Sequence, residues 1–174
     1  MKLIDCTEAR HAMPILDILN EAIVNSTAVY DYAPRPASSM PAWFAAKRAG
    51  GFPVLGVEAD DGTLLGFATY GTFRGWAAYK YTVEHSVYVH AAHRGRGLGE
   101  TLLAALVERA RAQDLHVLVG GLDASNAASI ALHCKLGFTH AGTIAQAGFK
   151  FGRWLDLAFY QRRLETPQSP VDGG

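Results

Sequence analysis

The sequence lacks the features that mark membrane, secreted and nucleic-acid-binding proteins. No apolar run approaches the roughly 20 residues of a membrane span, and no signal-like apolar segment follows Met1 and Lys2. Sixteen basic residues balance sixteen acidic ones, so no overall field attracts nucleic acid or an anionic membrane. The two cysteines, Cys6 and Cys134, are far apart and fit no metal or disulfide spacing. We therefore expect a soluble cytoplasmic protein that recognises its partners locally.

Length and composition indicate one folded domain. The chain has 174 residues, of which 49% are hydrophobic, and this is enough for a substantial core. No internal repeat and no linker divides the sequence. We predict that the domain spans residues 1–165. The remaining residues, 166–174, are rich in proline, glycine and polar side chains, and we expect them to form a disordered tail.

Hydrophobic periodicity predicts a mixed α/β sheet. Apolar residues at helical spacing indicate a first helix through residues 15–23, with Pro14 in its first turn. The turn residues 60–62, Asp-Asp-Gly, lie between two apolar runs and indicate a β-hairpin. In chain order we expect a strand at 2–6, helices at 14–23 and 41–48, strands at 54–58, 64–70 and 82–89, a helix from 98, a strand at 117–122, a short helix ending at 135–137 and a strand around 155–160. This order, β-α-α-β-β-β-α-β-α-β, is typical of a single-domain α/β fold.

A glycine-rich loop follows the strand at residues 82–89 and opens the next helix. Gly95, Gly97 and Gly99 remove side chains where a helix exposes its first unpaired N–H groups. Such a terminus can hold a phosphate, with help from the helix dipole and from Arg94 and Arg96. The loop therefore predicts a ligand that carries a pyrophosphate.

Two common phosphate-binding patterns do not fit this loop. The Rossmann pattern would need a third glycine where Glu100 stands, and no Gly-Lys-Ser/Thr follows as in a Walker loop. What remains is Arg94-x-x-Gly97-x-Gly99. Taken alone, this pattern also fits a glycine-rich turn with arginines that serve solubility.

The loop and three other segments together resemble one enzyme superfamily. Arg94-x-x-Gly97-x-Gly99 resembles the acetyl-CoA pyrophosphate loop of the GNAT N-acetyltransferases, and residues 126–138 resemble their second CoA motif, which ends in Leu-Gly-Phe. Residues 82–89 and 147–156 resemble the phosphinothricin and methionine sulfoximine N-acetyltransferases more narrowly. The resemblance covers roughly residues 4–164. It implies a mixed, mostly antiparallel sheet that is flanked by helices and splayed at its central strands.

The resemblance implies acetyl-CoA as co-substrate, and the residue spacing predicts no metal site. The strand that ends at Val89 would pair its main chain with the pantetheine arm, and the glycine loop would donate N–H groups to the pyrophosphate. The residues expected at the cofactor are Val87, Tyr88, Val89, Arg94, Gly95, Arg96, Gly97, Leu98, Gly99, Glu100, Asn126, Ser129 and Lys135. For two of these residues a role without the cofactor explains the sequence equally well: Asn126 as a helix N-cap and Lys135 as a solvated surface lysine.

Two residues are candidates for proton transfer. Glu84 interrupts an apolar strand and matches the family's proposed catalytic glutamate, so we expect it to accept the proton of the substrate ammonium. Binding of that ammonium, or a surface salt bridge, would also explain it. His133 lies where many GNAT enzymes carry a tyrosine acid, and a structural role is its alternative. His85, His90 and His93 make no convincing metal set.

The substrate side is the least constrained part of the resemblance. We expect contacts from Arg74, Gly75 and Trp76 and from Glu84, His85 and Ser86, with Arg74 pairing with a carboxylate. Tyr30, Tyr32 and residues 149–154 are further candidates, across the interface of a homodimer, although ordinary packing also explains them.

These expectations describe an enzyme that acetylates the amine of a small amino-acid-like molecule of the methionine sulfoximine or phosphinothricin type. A peptide or protein N-acetyltransferase and a non-catalytic CoA-binding sensor are the alternatives.

Overall fold

A computed structural model describes residues 1–173 of the chain, so Gly174, the end of the predicted tail, lies outside the described residues. Seven strands form one sheet, and four α-helices flank it. The strands are β1 Lys2–Asp5, β2 Val54–Glu58, β3 Leu64–Thr72, β4 Thr82–Val89, β5 Val117–Asp123, β6 Thr139–Lys150 and β7 Arg153–Arg163. The helices are α1 Glu8–Asn25, α2 Met40–Ala49, α3 Leu98–Ala112 and α4 Ala127–Lys135. The predicted single-domain mixed α/β fold is confirmed.

The sheet order, β1-β2-β3-β4-β5-β7-β6, contains one parallel pair, β4 with β5. All other neighbours are antiparallel. The parallel pair is short: it joins Thr82–Glu84 to Val117–Val119 and then ends, although β4 continues to Val89 and β5 to Asp123. The two central strands therefore separate beyond Glu84, which confirms the predicted splay.

The sheet buries one hydrophobic cluster on each face. Helix α3 covers one side, which we call the α3 face, and packs Leu102 and Leu106 against β3, β4 and β5. Helices α1 and α2 cover the other side, the α1 face, where Ile15, Ile18 and Phe44 pack against Phe67 of β3. Because side chains alternate along a strand, successive residues of β4 and β5 point into different clusters. This alternation decides which of the candidate residues can meet.

Two elements differ from the sequence-based expectation. The chain forms the additional strand β6, which pairs with β7 and gives the sheet its last edge. Its glycine-rich sequence and its two register shifts, at His140/Gly142 and Ile144/Gly148, explain why no strand periodicity is visible there. Helix α1 begins at Glu8 and not near Pro14, so the proline lies inside the helix and not in its first turn.

The segment after β7 continues without helix or strand to Gly173. His116 and Thr166 join it to the body of the protein through a hydrogen bond of 2.8 Å between the imidazole Nδ1 and the Thr166 carbonyl oxygen. The boundary at residue 165 and the disorder of the tail remain predictions. Within residues 1–173, none of the helices is both long enough and apolar enough to span a membrane.

Candidate active site at the strand splay

The splay opens a cavity between β4 and β5. Its volume is about 70 Å³, enough for a few atoms of a ligand or for ordered water. From β4 it is lined by His85, Ser86, Val87 and Tyr88, and from β5 by Gly121, Leu122 and Asp123. The other lining residues are Ala28, after α1, and Asn126 and His133 of the α4 region. The cavity thus brings predicted cofactor residues and predicted substrate residues to one place.

A second cavity of about 300 Å³ continues from the splay to the start of α3. Asn126 lines both cavities, so together they form one groove. Gly97 is the N-cap of α3 with φ 77°, and Gly95 has φ 75°, a conformation that side chains disfavour. A β-carbon at either glycine would meet nothing within 4 Å. The first N–H groups of α3 are therefore open to an anion in the groove.

Most of the charged residues at the glycine loop contact other side chains of the protein. Arg94 forms a salt bridge with Glu21 and donates from Nε to the Val89 carbonyl oxygen at 3.2 Å. Lys135 donates to Glu100 at 2.7 Å. Arg96 lies 3.0 Å from the Nδ1 of His93. Arg94 and Lys135 are thus ion-paired within the protein, whereas Arg96 meets only a histidine, and the main-chain N–H groups of the loop remain open to a ligand. Leu98 is buried in the core.

Asn126 and Ser129 organise the start of α4. The Asn126 Oδ1 accepts from the Ser129 N–H at 3.0 Å, which confirms the N-cap interpretation of Asn126. Its contact with a cofactor remains a prediction. One turn later the Ser129 carbonyl oxygen lies 2.7 Å from the Nδ1 of His133. The cap and the histidine are thus joined through one residue.

The end of α4 fixes the other side of His133. Gly137 has φ 77°, and its N–H donates to the Cys134 carbonyl at 3.0 Å. The Phe138 N–H donates to the His133 carbonyl at 3.0 Å. This pair of bonds is a Schellman motif, which the Leu-Gly-Phe sequence favours. It places the Phe138 ring 5.1 Å from the His133 ring, centroid to centroid.

Glu84 lies on the α1 face, at the last paired position before the splay. Its Oε1 is 3.3 Å from the point where a β-carbon of Gly121 would stand, and Leu157 and Phe159 adjoin the same point. Burial in these surroundings raises the pKa of the Glu84 carboxyl, and the positive charge of Arg74 partly opposes the rise. A carboxylate with a raised pKa next to a residue that lines a cavity, here Gly121, is suited to accept a proton.

The structure divides the predicted substrate residues into two groups. Glu84, His85 and Ser86 adjoin the splay, whereas Arg74, Gly75 and Trp76 line a separate cavity of about 470 Å³ beside the start of β4. Trp76 is 72% exposed there, and Tyr79 lies beside it at 6.4 Å. Arg74 packs its guanidinium 4.6 Å above the Phe73 ring. The positive charge of Arg74 lowers the pKa of Glu84, against the rise that burial causes.

Asp123 is a residue of the cavity that sequence reasoning missed. Its side chain is buried, and Oδ1 accepts from the N–H and the hydroxyl of Ser125, both at 2.8 Å. Oδ2 faces Arg153 at 3.5 Å. Side chains alternate along β5, so Asp123, two residues after Gly121, lies on the α1 face with Glu84. This alternation is the feature of the sequence that could have pointed to Asp123.

Comparisons with known proteins agree with this architecture. The model of the acetyltransferase (GNAT) family matches residues 18–138. An L-methionine sulfoximine/L-methionine sulfone acetyltransferase of Pseudomonas paraeruginosa is 48% identical over 155 residues, which are 89% of this chain and 90% of that protein.

Solved structures give the same result. A structure from Acinetobacter baylyi ADP1 is 59% identical with a TM-score of 0.98, covering 99% of this chain and 96% of that one. A phosphinothricin acetyltransferase of the GNAT superfamily from Sinorhizobium meliloti, crystallised with AcCoA, is 34% identical with a TM-score of 0.93 and covers 99% and 94%.

Proposed function

The chain belongs to the acetyltransferase (GNAT) family, and from this premise we propose that it transfers acetyl from acetyl-CoA to the amine of a small amino-acid-like substrate. Methionine sulfoximine, methionine sulfone and phosphinothricin are the substrate types that its relatives' names suggest. The observation that carries the proposal is the groove from the open N-terminus of α3 to the splay, with Glu84 at the point where β4 and β5 separate.

The residues of the groove fit a CoA donor. The backbone of Val87 and Val89 lies beyond the last β4–β5 pair, so β5 does not occupy its hydrogen-bonding groups. The Val89 carbonyl oxygen accepts from the Arg94 Nε, and the Val89 N–H and the backbone groups of Val87 would pair with the two amides of a pantetheine arm. The N–H groups of the loop and the first turn of α3 would hold the pyrophosphate: Gly95, Arg96, Gly97, Leu98, Gly99 and Glu100. Such a donor supplies an acetyl group already activated as a thioester.

Glu84 supports the proton transfer that acyl transfer to nitrogen requires. An amino-acid ammonium must lose a proton before its lone pair can attack a carbonyl carbon. The Glu84 carboxylate, directly or through one water, accepts that proton, and a base in this position contributes roughly 10²–10⁴-fold to the rate. The apolar contacts with Leu157 and Phe159 raise the proton affinity of Glu84 towards the useful range.

We assign substrate orientation to the β3–β4 loop. Arg74 would pair with the substrate carboxylate through two parallel hydrogen bonds, and Trp76 would form an apolar wall. Both residues are exposed and line a cavity that reaches the first residues of β4, two positions before Glu84. With the carboxylate bound at Arg74 and the amine at Glu84, the site would recognise an α-amino acid by its two charged groups.

We propose that the active protein is a homodimer. Exposed apolar side chains gather at the β6–β7 hairpin and at Tyr32: Tyr32, Ile144, Phe149, Phe151 and Trp154 are 46% to 75% exposed. The Tyr32 hydroxyl donates to the Phe149 carbonyl at 2.7 Å, which joins them into one patch. Contiguous apolar surfaces of this kind mark interaction sites. Light scattering should find a dimer that Trp154→Glu dissociates, whereas Trp76→Glu, at an even more exposed tryptophan outside the patch, leaves it intact.

The decisive experiment for the activity measures acetyl-CoA consumption across an amine panel. The panel contains methionine sulfoximine, methionine sulfone, phosphinothricin, common amino acids and a peptide with a free N-terminus. Turnover confined to the free amino-acid analogues supports the proposal. Preferential turnover of the peptide indicates a peptide N-acetyltransferase, and tight acetyl-CoA binding without turnover indicates a sensor.

A further inference from the structure

Two buried histidines meet beneath the splay. His85 of β4 and His133 of α4 are 5% and 3% exposed, and their Nε2 atoms are 2.9 Å apart. The ring centroids are 5.1 Å apart with an interplanar angle of 25°. This separation is too great for rings in face contact, while the nitrogens are at hydrogen-bond distance. The rings therefore meet edge to edge in one N–H···N hydrogen bond.

The protons of this pair follow from its partners. A carbonyl oxygen only accepts, so the Ser129 oxygen at 2.7 Å requires a proton on the Nδ1 of His133. A neutral His133 then has a lone pair on Nε2. His85 must donate its own Nε2–H to that lone pair, which leaves the Nδ1 of His85 without a proton. This nitrogen is buried and has no hydrogen-bond partner among residues 1–173.

The surroundings of the pair are apolar and closely fitted. Phe138 lies 5.1 Å from each of the two rings. A β-carbon at Gly120 would come within 2.9 Å of the His85 ring and 3.0 Å of His133 Nε2, so only glycine allows both rings to pack there. Tyr160 of β7 lies 6.4 Å from His133, with His140 of β6 behind it. Glu84, the neighbour of His85 in β4, lies on the opposite face of the sheet because side chains alternate along the strand.

Burial lowers the pKa values of both histidines. The pKa of His85 falls to about 3, because desolvation and the neighbouring His133 outweigh the opposing effect of the Val119 main chain. The pKa of His133 is lowered by desolvation, partly offset by the bond to Ser129. Both effects agree with the neutral pair that the hydrogen-bond geometry requires.

We propose that His85 is a positioning residue for acetyl transfer: its Nε2–H occupies the Nε2 lone pair of His133 and holds that ring neutral and fixed at the wall of the splay cavity. The proposal rests on the proposed acetyltransferase function. It moves His85 from substrate contact to the support of His133. It also means that both nitrogens of His133 are engaged within the protein, so the proton of the amine goes to Glu84.

Nitrogen NMR of the imidazoles tests the pair without any need for turnover. In ¹⁵N-histidine-labelled protein, His133 should have a protonated Nδ1 and a bare Nε2, and His85 the reverse. A scalar coupling across the hydrogen bond should join the two Nε2 nuclei. Neither ring should titrate between about pH 5 and pH 8, where an ordinary histidine does. Absence of the coupling, a protonated His133 Nε2 or titration in this range would overturn the assignment. Because no substrate is involved, this result stands even if every amine of the panel fails.

Two variants connect the pair to catalysis. His85→Leu removes the donor and should lower kcat by about tenfold, the effect of one lost hydrogen bond, with the acetyl-CoA KM nearly unchanged. The pH profile should gain an ionisation, because the His133 Nε2 is then free to bind a proton. His85→Gln keeps an N–H donor and should restore most of kcat and remove the new ionisation. Equal losses in both variants, with no new ionisation, would reduce His85 to a packing residue.

Discussion

The carboxylate of Glu84 lies directly across the strand splay from Gly121, with Oε1 at 3.3 Å from the position of a β-carbon at that glycine. A methyl group there would crowd the carboxylate, so the glycine of β5 provides the space for the side chain of β4. This relationship places Glu84 next to Gly121, which lines the splay cavity, and within apolar surroundings. Burial raises its pKa for the same reason.

Glu84→Gln should reduce kcat at neutral pH by roughly 10²-fold or more, because the amide keeps the shape but cannot accept a proton. The low-pH limb of the rate profile should disappear, and higher pH should partly rescue the variant since more free amine is then present. Steady-state kinetics from pH 6 to pH 10 would measure both effects. Glu108→Gln, on the exposed surface of α3, is the matched control and should leave the profile unchanged.

The outcome that contradicts a base at Glu84 is specific. An unchanged kcat with a large rise in the KM of the amine would make Glu84 a binding carboxylate for the substrate ammonium. Water would then take the proton.

Much of the fold follows from local sequence signals. The Asp-Asp-Gly turn fixes the β2–β3 hairpin, and alternation fixes the bounds of β4 at residues 82–89. The position of β6 could not be predicted, because its residues are largely exposed and its pairing with β7 depends on two register shifts. Non-local pairing of this kind leaves no periodic signal in one strand alone.

The site was predictable in its parts but not in its grouping. The sequence indicates Glu84, His85 and Ser86 as neighbours, yet alternation sends His85 to the α3 face and the other two to the α1 face. The partner of His85 is His133, 48 residues later, which only the packing of α4 brings within reach. In the same way, Glu21 lies on α1, so its salt bridge with Arg94 could not be foreseen from the glycine loop.

Gly97→Val should abolish most of the rise in melting temperature that acetyl-CoA causes in the native protein. The valine places a branched side chain in the open groove, and it also strains a residue at φ 77°. The measurement is thermal unfolding with and without acetyl-CoA. Gly62→Val is the matched control: this glycine of the β2–β3 turn has φ 89° and equally open space, but lies away from the groove. Both variants should unfold earlier, and only the control should keep the full acetyl-CoA effect. A full effect in Gly97→Val would remove the pyrophosphate site from this loop.

Arg74→Ala should mainly raise the KM of the amino-acid substrate and leave acetyl-CoA binding unchanged, because it removes a bidentate partner for the carboxylate. A decarboxylated analogue of the substrate should respond much less. Arg48→Ala, at an exposed arginine paired with Glu8, controls for the loss of one surface charge. Equal loss of activity with both compounds would show that Arg74 supports the β3–β4 loop and does not recognise the carboxylate.

A buried carboxylate far from the splay should govern acid stability. Glu58, at the end of β2, is 2% exposed. Its carboxylate oxygens lie 3.2 Å from the Lys2 Nζ, 3.0 Å from an Arg10 guanidinium nitrogen and 3.3 Å from the His11 Nε2. The Thr7 N–H donates to the Nδ1 of His11 at 2.8 Å, so a neutral His11 has its proton on Nε2 and donates it to Glu58. The His11 hydrogen bond, followed by that of Lys2, lowers the pKa of the Glu58 carboxyl.

The sign of the resulting pH dependence follows from linkage. The folded pKa of Glu58 lies below its unfolded value of about 4.3, so the unfolded chain binds the proton more readily. The stabilising contribution is complete above the unfolded pKa and is lost as pH falls through the folded one. Urea unfolding at several pH values should therefore show a decline in the free energy of unfolding below about pH 4.3 that is shallower in Glu58→Gln. Glu165→Gln, at an exposed carboxylate near the end of the chain, should retain the wild-type decline. A Glu58→Gln variant with the same acid slope as the wild type would show that other carboxylates carry the acid sensitivity.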